Sequence, residues 1–327
     1  MKTMKWLLRR EFWEHKGAML LAPLVVGGLM LATILATLLY GLSLGQGRFR
    51  GQLTVNGNTT DAATLFAQAA QNQQGQISNA AADLYLIVSA PLFLMMAAVV
   101  FFYCLGALHD ERRDRSILFW KSLPVSDLHT VLSKVMTAVI VAPLIVMSIA
   151  VGMSVLLVLL AAIGFAFHGV NIIGALLSNA NFYLSPLRLV GLLPVYALWA
   201  LPTVGWLLLV SAWARSKVFL WAVGVPVLTV VVLKWIDYLL GMGIDVKWFA
   251  NNVVARALLG LVPGVWLPMA QADPSLMLNQ TTHTVAMSGV FTASWMTLAT
   301  PGVWIGAAAG AAMIYGAARL RRWKDEG

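Results

Sequence analysis

The charged residues of this 327-residue sequence are few and unevenly placed: nine of 35 fall in the 26 residues from His109 to Lys134. The run opens His109-Asp110-Glu111-Arg112-Arg113-Asp114-Arg115, continues Ser116-Ile117-Leu118-Phe119-Trp120-Lys121-Ser122-Leu123-Pro124, and leads through Val125-Ser126-Asp127 to Lys134. Mixed acids and bases of this kind suit ion pairing and docking. Glu111 to Leu123 is long enough for about three helical turns. On a helix Ile117, Leu118 and Lys121 lie together with Trp120 beside them. Pro124 ends such a helix, and Ser126 or Asp127 can cap the next. One reading is an ordinary loop between two apolar segments. The sharper one is a short surface helix offering charge and aromatics to a soluble protein.

Other chemistry is sparse. The histidines His15, His109, His129, His168 and His283 are scattered without metal-ligand spacing. No G-x-x-x-x-G-K-[ST] or H-E-x-x-H motif occurs, so the sequence carries no P-loop for ATP. Lys234 and Asp237 stand at i, i+3 in an apolar stretch. They read either as a charged pair on a translocation path or as an interfacial pair, with the lysine snorkelling about 24 Å along its helix. Trp199, Trp206 and Trp213 recur every seven residues. They form a contact stripe, or else Trp199 and Trp213 are interface anchors with Trp206 inside. Met95, Met96, Phe101, Phe102 and Tyr103 read first as packing.

The elements that must position these residues are membrane helices. The sequence is 60% hydrophobic and 11% charged, with mean hydropathy +0.81. A soluble domain carries about 25% charged residues, so the expected class is all-α, a polytopic membrane protein. The single cysteine, Cys104, allows no intrachain disulfide. Six spans are predicted, over 18–44, 84–108, 131–165, 188–212, 218–240 and 301–320, with a polar loop at 45–83 that has room for one short helix at 61–73, and another loop at 166–186. Residues 1–16 form an interfacial helix. Met1, Met4, Leu8 and Phe12 share its apolar face, Lys2, Lys5, Arg9 and Lys16 line the adjacent one, and Trp6 and Trp13 sit at i, i+7. The run 253–270 is ambiguous because Arg256 and Pro263 interrupt it. In a six-span topology 16 of the 22 Lys and Arg residues lie on one side. The positive-inside rule therefore expects both termini in the cytoplasm and reads 253–270 as a re-entrant or surface helix of an outer segment, 241–300.

Glu111, Ser116, Leu118, Leu123, Pro124, Ser126 and Lys134, in that order and between two spans, resemble the membrane-spanning subunits of ABC-2-type ABC transporters. Arg115 stands where many members have glycine. The resemblance implies a permease of the bacterial plasma membrane with a coupling helix at 109–127, dimerised with a second copy or close relative. It implies separate ATPase subunits that bind ATP and magnesium, with no cofactor in this chain. It also implies export; the scarcity of charges in the spans suits an amphipathic or apolar substrate, and the net charge of +9, placed at membrane edges, calls for no nucleic-acid partner. Glu111, Arg112, Arg113, Asp114, Arg115, Ile117, Leu118 and Trp120 would meet the ATPase. The N-terminal helix, with Lys2, Lys5, Arg9, Trp6 and Trp13, would touch it too. Met95, Met96, Phe102, Lys234 and Asp237 are candidates for the pathway. The alternative is an integral-membrane enzyme or a membrane-anchored sensor.

Overall fold

The structure, a computed structural model, describes residues 2–48, 52–55, 58–61, 73–115, 125–167, 171–243, 245–278 and 284–323. Six helices are long and apolar enough to cross a membrane: Gly17–Thr37, Gly75–Arg113, Asp127–Ala166, Ala180–Trp213, Leu220–Leu240 and Pro301–Trp323. The chain is a polytopic, helical membrane protein, and these helices are its first to sixth spans. A separate helix, Lys2–Glu14, precedes the first. Both that helix and the end of the sixth span lie at one end of the bundle, called here the basic end because Arg10, Lys134 and Arg321 meet there.

Prolines shape three spans. Wide π-turns occupy Gly17–Leu21, Thr137–Val141 and Leu220–Gly224, each ending just before Pro23, Pro143 or Pro226. A proline has no N–H to give the carbonyl four residues back and clashes with it, so the local hydrogen-bond pattern shifts. Pro226 leaves the carbonyl of Ala222 without its usual helical donor, and the indole of Trp206 donates to it at 2.9 Å. A lost intrahelical bond thus becomes a tie between the fourth and fifth spans.

The bundle is built around the fourth and sixth spans, which make its most extensive contact. Lipid is as apolar as leucine, so helices in a bilayer associate where small residues let backbones approach. Gly205 and Gly310 do this: a Cβ at Gly205 would lie 2.5 Å from the Gly310 carbonyl oxygen, and one at Gly310 would lie 2.6 Å from that of Leu201. By contrast, the first and fifth spans are mostly uncovered, with 17% and 6% of their most apolar windows buried.

The remaining segments depart from expectation in several places. The segment expected as a loop at 166–186 is largely helical, with Ile173–Ser178 followed by Ala180–Gly191, because Asn179 caps the second helix through the amide of Asn181. The second span begins earlier than expected, in a helix starting at Gln74. Gln52–Val55 pairs antiparallel with Asn58–Asp61 in a short hairpin. The short helix expected at 61–73 falls almost wholly outside the described residues.

The segment after the fifth span is a broken helical hairpin. Helix runs from Val246 through a π-turn at Ala250–Ala255 to Leu259, turns over residues 260–265, and resumes at Trp266–Met269. It docks on the middle of the fourth span, where Thr203 donates to the Arg256 carbonyl at 2.7 Å. Gly260 permits this approach, since a Cβ there would lie 2.6 Å from the Trp199 carbonyl oxygen.

Candidate functional site

An N-terminal segment that carries five lysines and arginines in its first 16 residues has one acid in the middle of its apolar stripe: Glu11, seven residues after Met4 and so nearly in line with it. Glu11 is fully buried. Its carboxylate receives the Lys134 ammonium at 3.0 Å and the Tyr103 hydroxyl at 2.8 Å. Lys134 Nζ lies 3.0 Å from Glu111 Oε1 as well. Glu111 also pairs with Arg321, and Arg321 Nε reaches Asp127 Oδ1 at 3.1 Å. Arg10 Nη2 stands 3.6 Å from Glu111.

Three acids, Glu11, Glu111 and Asp127, thus meet three bases, Lys134, Arg321 and Arg10. The network joins the N-terminal helix, the end of the second span, the start of the third and the end of the sixth. A buried ion pair is weak evidence for stability, because desolvation offsets much of the Coulomb attraction. Losing one partner is a different matter, since a buried charge is then left uncompensated. The network therefore fixes the relative position of four elements more than it deepens the fold.

A second tie holds the corner after the second span. Ser211 Oγ accepts from the amides of Leu108 and His109, at 3.1 and 3.0 Å. Arg112 donates to the carbonyls of Ser211 and Ala214, at 2.6 and 2.9 Å. These lie at the C-terminal end of the fourth span, where helix carbonyls lack intrahelical donors and a cation is favoured.

The charges expected at the docking edge divide into two groups. Glu111 and Arg112 face inward, committed to the bundle. Arg113, Asp114 and Arg115 remain exposed beside them. The helix expected from Glu111 is interrupted within the described residues: it spans His109–Arg113, and Arg115 follows with φ 54°, the left-handed conformation that glycine adopts freely. Ile117, Leu118 and Trp120 lie outside the described residues.

On the N-terminal helix, Lys5, Trp6, Arg9 and Trp13 are exposed, with Arg9 over the Trp6 ring and Lys16 over that of Trp13. The face it packs against the bundle is centred on Leu7 and Glu11, with Leu8 and Phe12 half-buried.

Met95 and Phe102 line a cavity of about 530 Å³ between the first and second spans, whereas Met96 is buried on the opposite side, against a much smaller one. Lys234 and Asp237 sit on the fifth span near its far end, away from both. The tryptophan stripe divides differently from the anchor reading. Trp199 is buried, donates to Thr297 Oγ1 at 3.2 Å, and carries the Arg256 guanidinium 4.4 Å above its ring. Trp206 is half-buried, and Trp213 is exposed against Trp221.

Arg256 is the second residue, with Glu11, whose role the sequence reading missed. It donates to the carbonyls of Gly302 and Val303, at 2.6 and 3.1 Å, and Gly306 leaves room for its guanidinium. Among the described residues no group of three or more histidines, cysteines or carboxylates is placed to hold a metal ion. No protein-family model, no curated protein and no solved structure matches this chain.

Proposed function

We propose that the chain is the membrane subunit of an ATP-driven exporter of the ABC-2 type. It would work as a dimer, with its basic end in the cytoplasm and separate ATPase subunits supplying the energy. One observation carries the reading: an exposed charged edge, Arg113-Asp114-Arg115, runs directly into a buried lock. Two residues before Arg113, Glu111 is tied to Lys134 and Arg321; one residue before it, Arg112 is tied to the end of the fourth span. Force applied at that edge reaches the N-terminal helix and the second, third, fourth and sixth spans without passing through a flexible joint. A loop whose only task was to connect two spans has no need of such fastening. The histidines are dispersed along the sequence, and the buried acids of the described residues are paired with bases, so an enzyme reading has nothing comparable.

The experiment is capture of an ATPase on the chain in mild detergent, with transport in vesicles measured beside it. Trp120→Ala or Leu118→Ala is expected to release the ATPase or uncouple hydrolysis from transport while membrane insertion is kept. Interface anchors of this type typically cost about 2 kcal/mol or more when truncated. Unchanged capture and transport in both variants would overturn the assignment.

A further inference from the structure

The cavity between the first and second spans has an unusual distribution of chemistry. Its inner wall is apolar: Ala18 and Ala22 on one side, Met95, Val99 and Phe102 on the other. Its rim at the basic end is acidic: Glu14, Asp110 and Asp114, all exposed. Met95 and Asp110 are 15 residues apart, about 22 Å along a helix. Wall and rim thus form one crevice with a greasy depth and a charged mouth. Phe102 is 62% exposed and stacks on Phe219, so the wall is also open from the side.

Arg113 and Arg115 flank Asp114 in sequence, and His109 Nδ1 lies 3.2 Å from Asp110 Oδ1, but several other cations near the mouth are engaged elsewhere. Lys134, the only lysine or arginine in the lining among the described residues, is held by Glu11 and Glu111. Arg10 lies between Glu14 and Glu111, Arg112 is turned to the fourth span, and Lys16 lies over Trp13. Asp110 is also deliberately placed. Its carboxylate folds back over Gly106, where any Cβ would collide with Oδ2.

We propose that this crevice is a binding site for an amphiphilic cation, with the apolar body against Met95, Val99 and Phe102 and the positive group at Asp110 and Asp114. That the occupant is cargo, loaded from the cytoplasmic leaflet, rests on the transporter reading above; the binding itself does not. An apolar wall alone would accept any acyl chain, whereas an acidic mouth favours a cation and repels an anionic headgroup.

The test uses the full chain, without ATPase, in phosphatidylcholine nanodiscs. The probes are tetraphenylphosphonium and tetraphenylborate, nearly identical in shape and opposite in charge, each measured by equilibrium dialysis against protein-free discs. The expected result is saturable, protein-dependent binding of the phosphonium and none of the borate. The double variant Asp110→Asn/Asp114→Asn should weaken phosphonium binding about fivefold, more at low salt. Asp110→Lys/Asp114→Lys should transfer the preference to the borate, a gain that misfolding cannot mimic. Equal protein-dependent binding of both ions, or phosphonium binding indifferent to both double variants, overturns the proposal. Adding phosphatidylethanolamine to the discs separates the sources of the cation. Displacement of the phosphonium identifies a lipid amine as the occupant, and no displacement identifies a free amphiphile. Because no ATPase is present, failure here leaves the transporter reading standing, and failure of ATPase capture leaves this site standing.

Discussion

Lys134 holds Glu11 and Glu111 at the same distance, 3.0 Å each, across 123 and 23 residues of chain. A single ammonium therefore bridges the N-terminal helix and the end of the second span. Neither carboxylate is more than 9% exposed.

Removing one member leaves a buried charge without its partner. Lys134→Met and Glu11→Gln are each expected to destabilise the protein by about 3–5 kcal/mol. The two changes together should cost clearly less than their sum, because the residues act on one another. Thermal unfolding followed by size-exclusion profile, over the four members of the double-mutant cycle, measures the coupling. Additive losses would mean that the two side chains stabilise independently.

The fourth and sixth spans meet backbone to backbone, so bulk there has nowhere to go. Gly310→Leu and Gly205→Val are expected to abolish the monodisperse protein, whereas Gly28→Leu and Gly152→Leu, which face open space, should leave it intact. Equal yields from all four would contradict the crossing.

Arg115 occupies left-handed backbone, which costs a side chain about 1 kcal/mol relative to glycine. Arg115→Gly should therefore be neutral or mildly stabilising in thermal unfolding, and Arg115→Val should destabilise. If Arg115→Gly weakens ATPase capture while raising stability, the guanidinium acts at the docking edge and not in the fold.

The transporter reading sets an orientation. Cysteines introduced at Gln73 and Gln271, both exposed at the far end, should react with an impermeant thiol reagent from outside intact cells. One at Ser126, exposed near the basic end, should not. Labelling at position 126 from outside would reverse the topology.

Much of this architecture is readable from the sequence because a membrane helix announces itself by length and hydropathy, which is why all six spans lie where the apolar runs lie. The short helices at 173–191 were missed because their capping signal, Asn179, stands inside an apolar neighbourhood that resembles a continuing loop. Glu11 was legible and overlooked: a lone acid on the apolar stripe of a cationic helix must find a buried cation or stay out of the core. Its partner was not legible, since Lys134 and Arg321 look like ordinary basic flanks until the helices are packed. Arg256 is of the same kind. A charge in an apolar run signals a break or a pathway, and only the packed structure shows it seated on Trp199 and two carbonyls. The left-handed backbone of Arg115 was not legible either, since a side chain disfavours it.

The contact between Glu111 and Arg321 also has a clock in it. The two residues are separated by 210 positions. At about 5–20 residues per second, a ribosome needs roughly 10–40 s to travel from one to the other. Throughout that interval the second and third spans can be made and inserted, yet Glu111 lacks the guanidinium of Arg321. The basic end of the bundle closes only when the last helix arrives, so an interrupted chain displays an unfinished ionic seam, a mark by which quality-control proteases could tell it from a finished one.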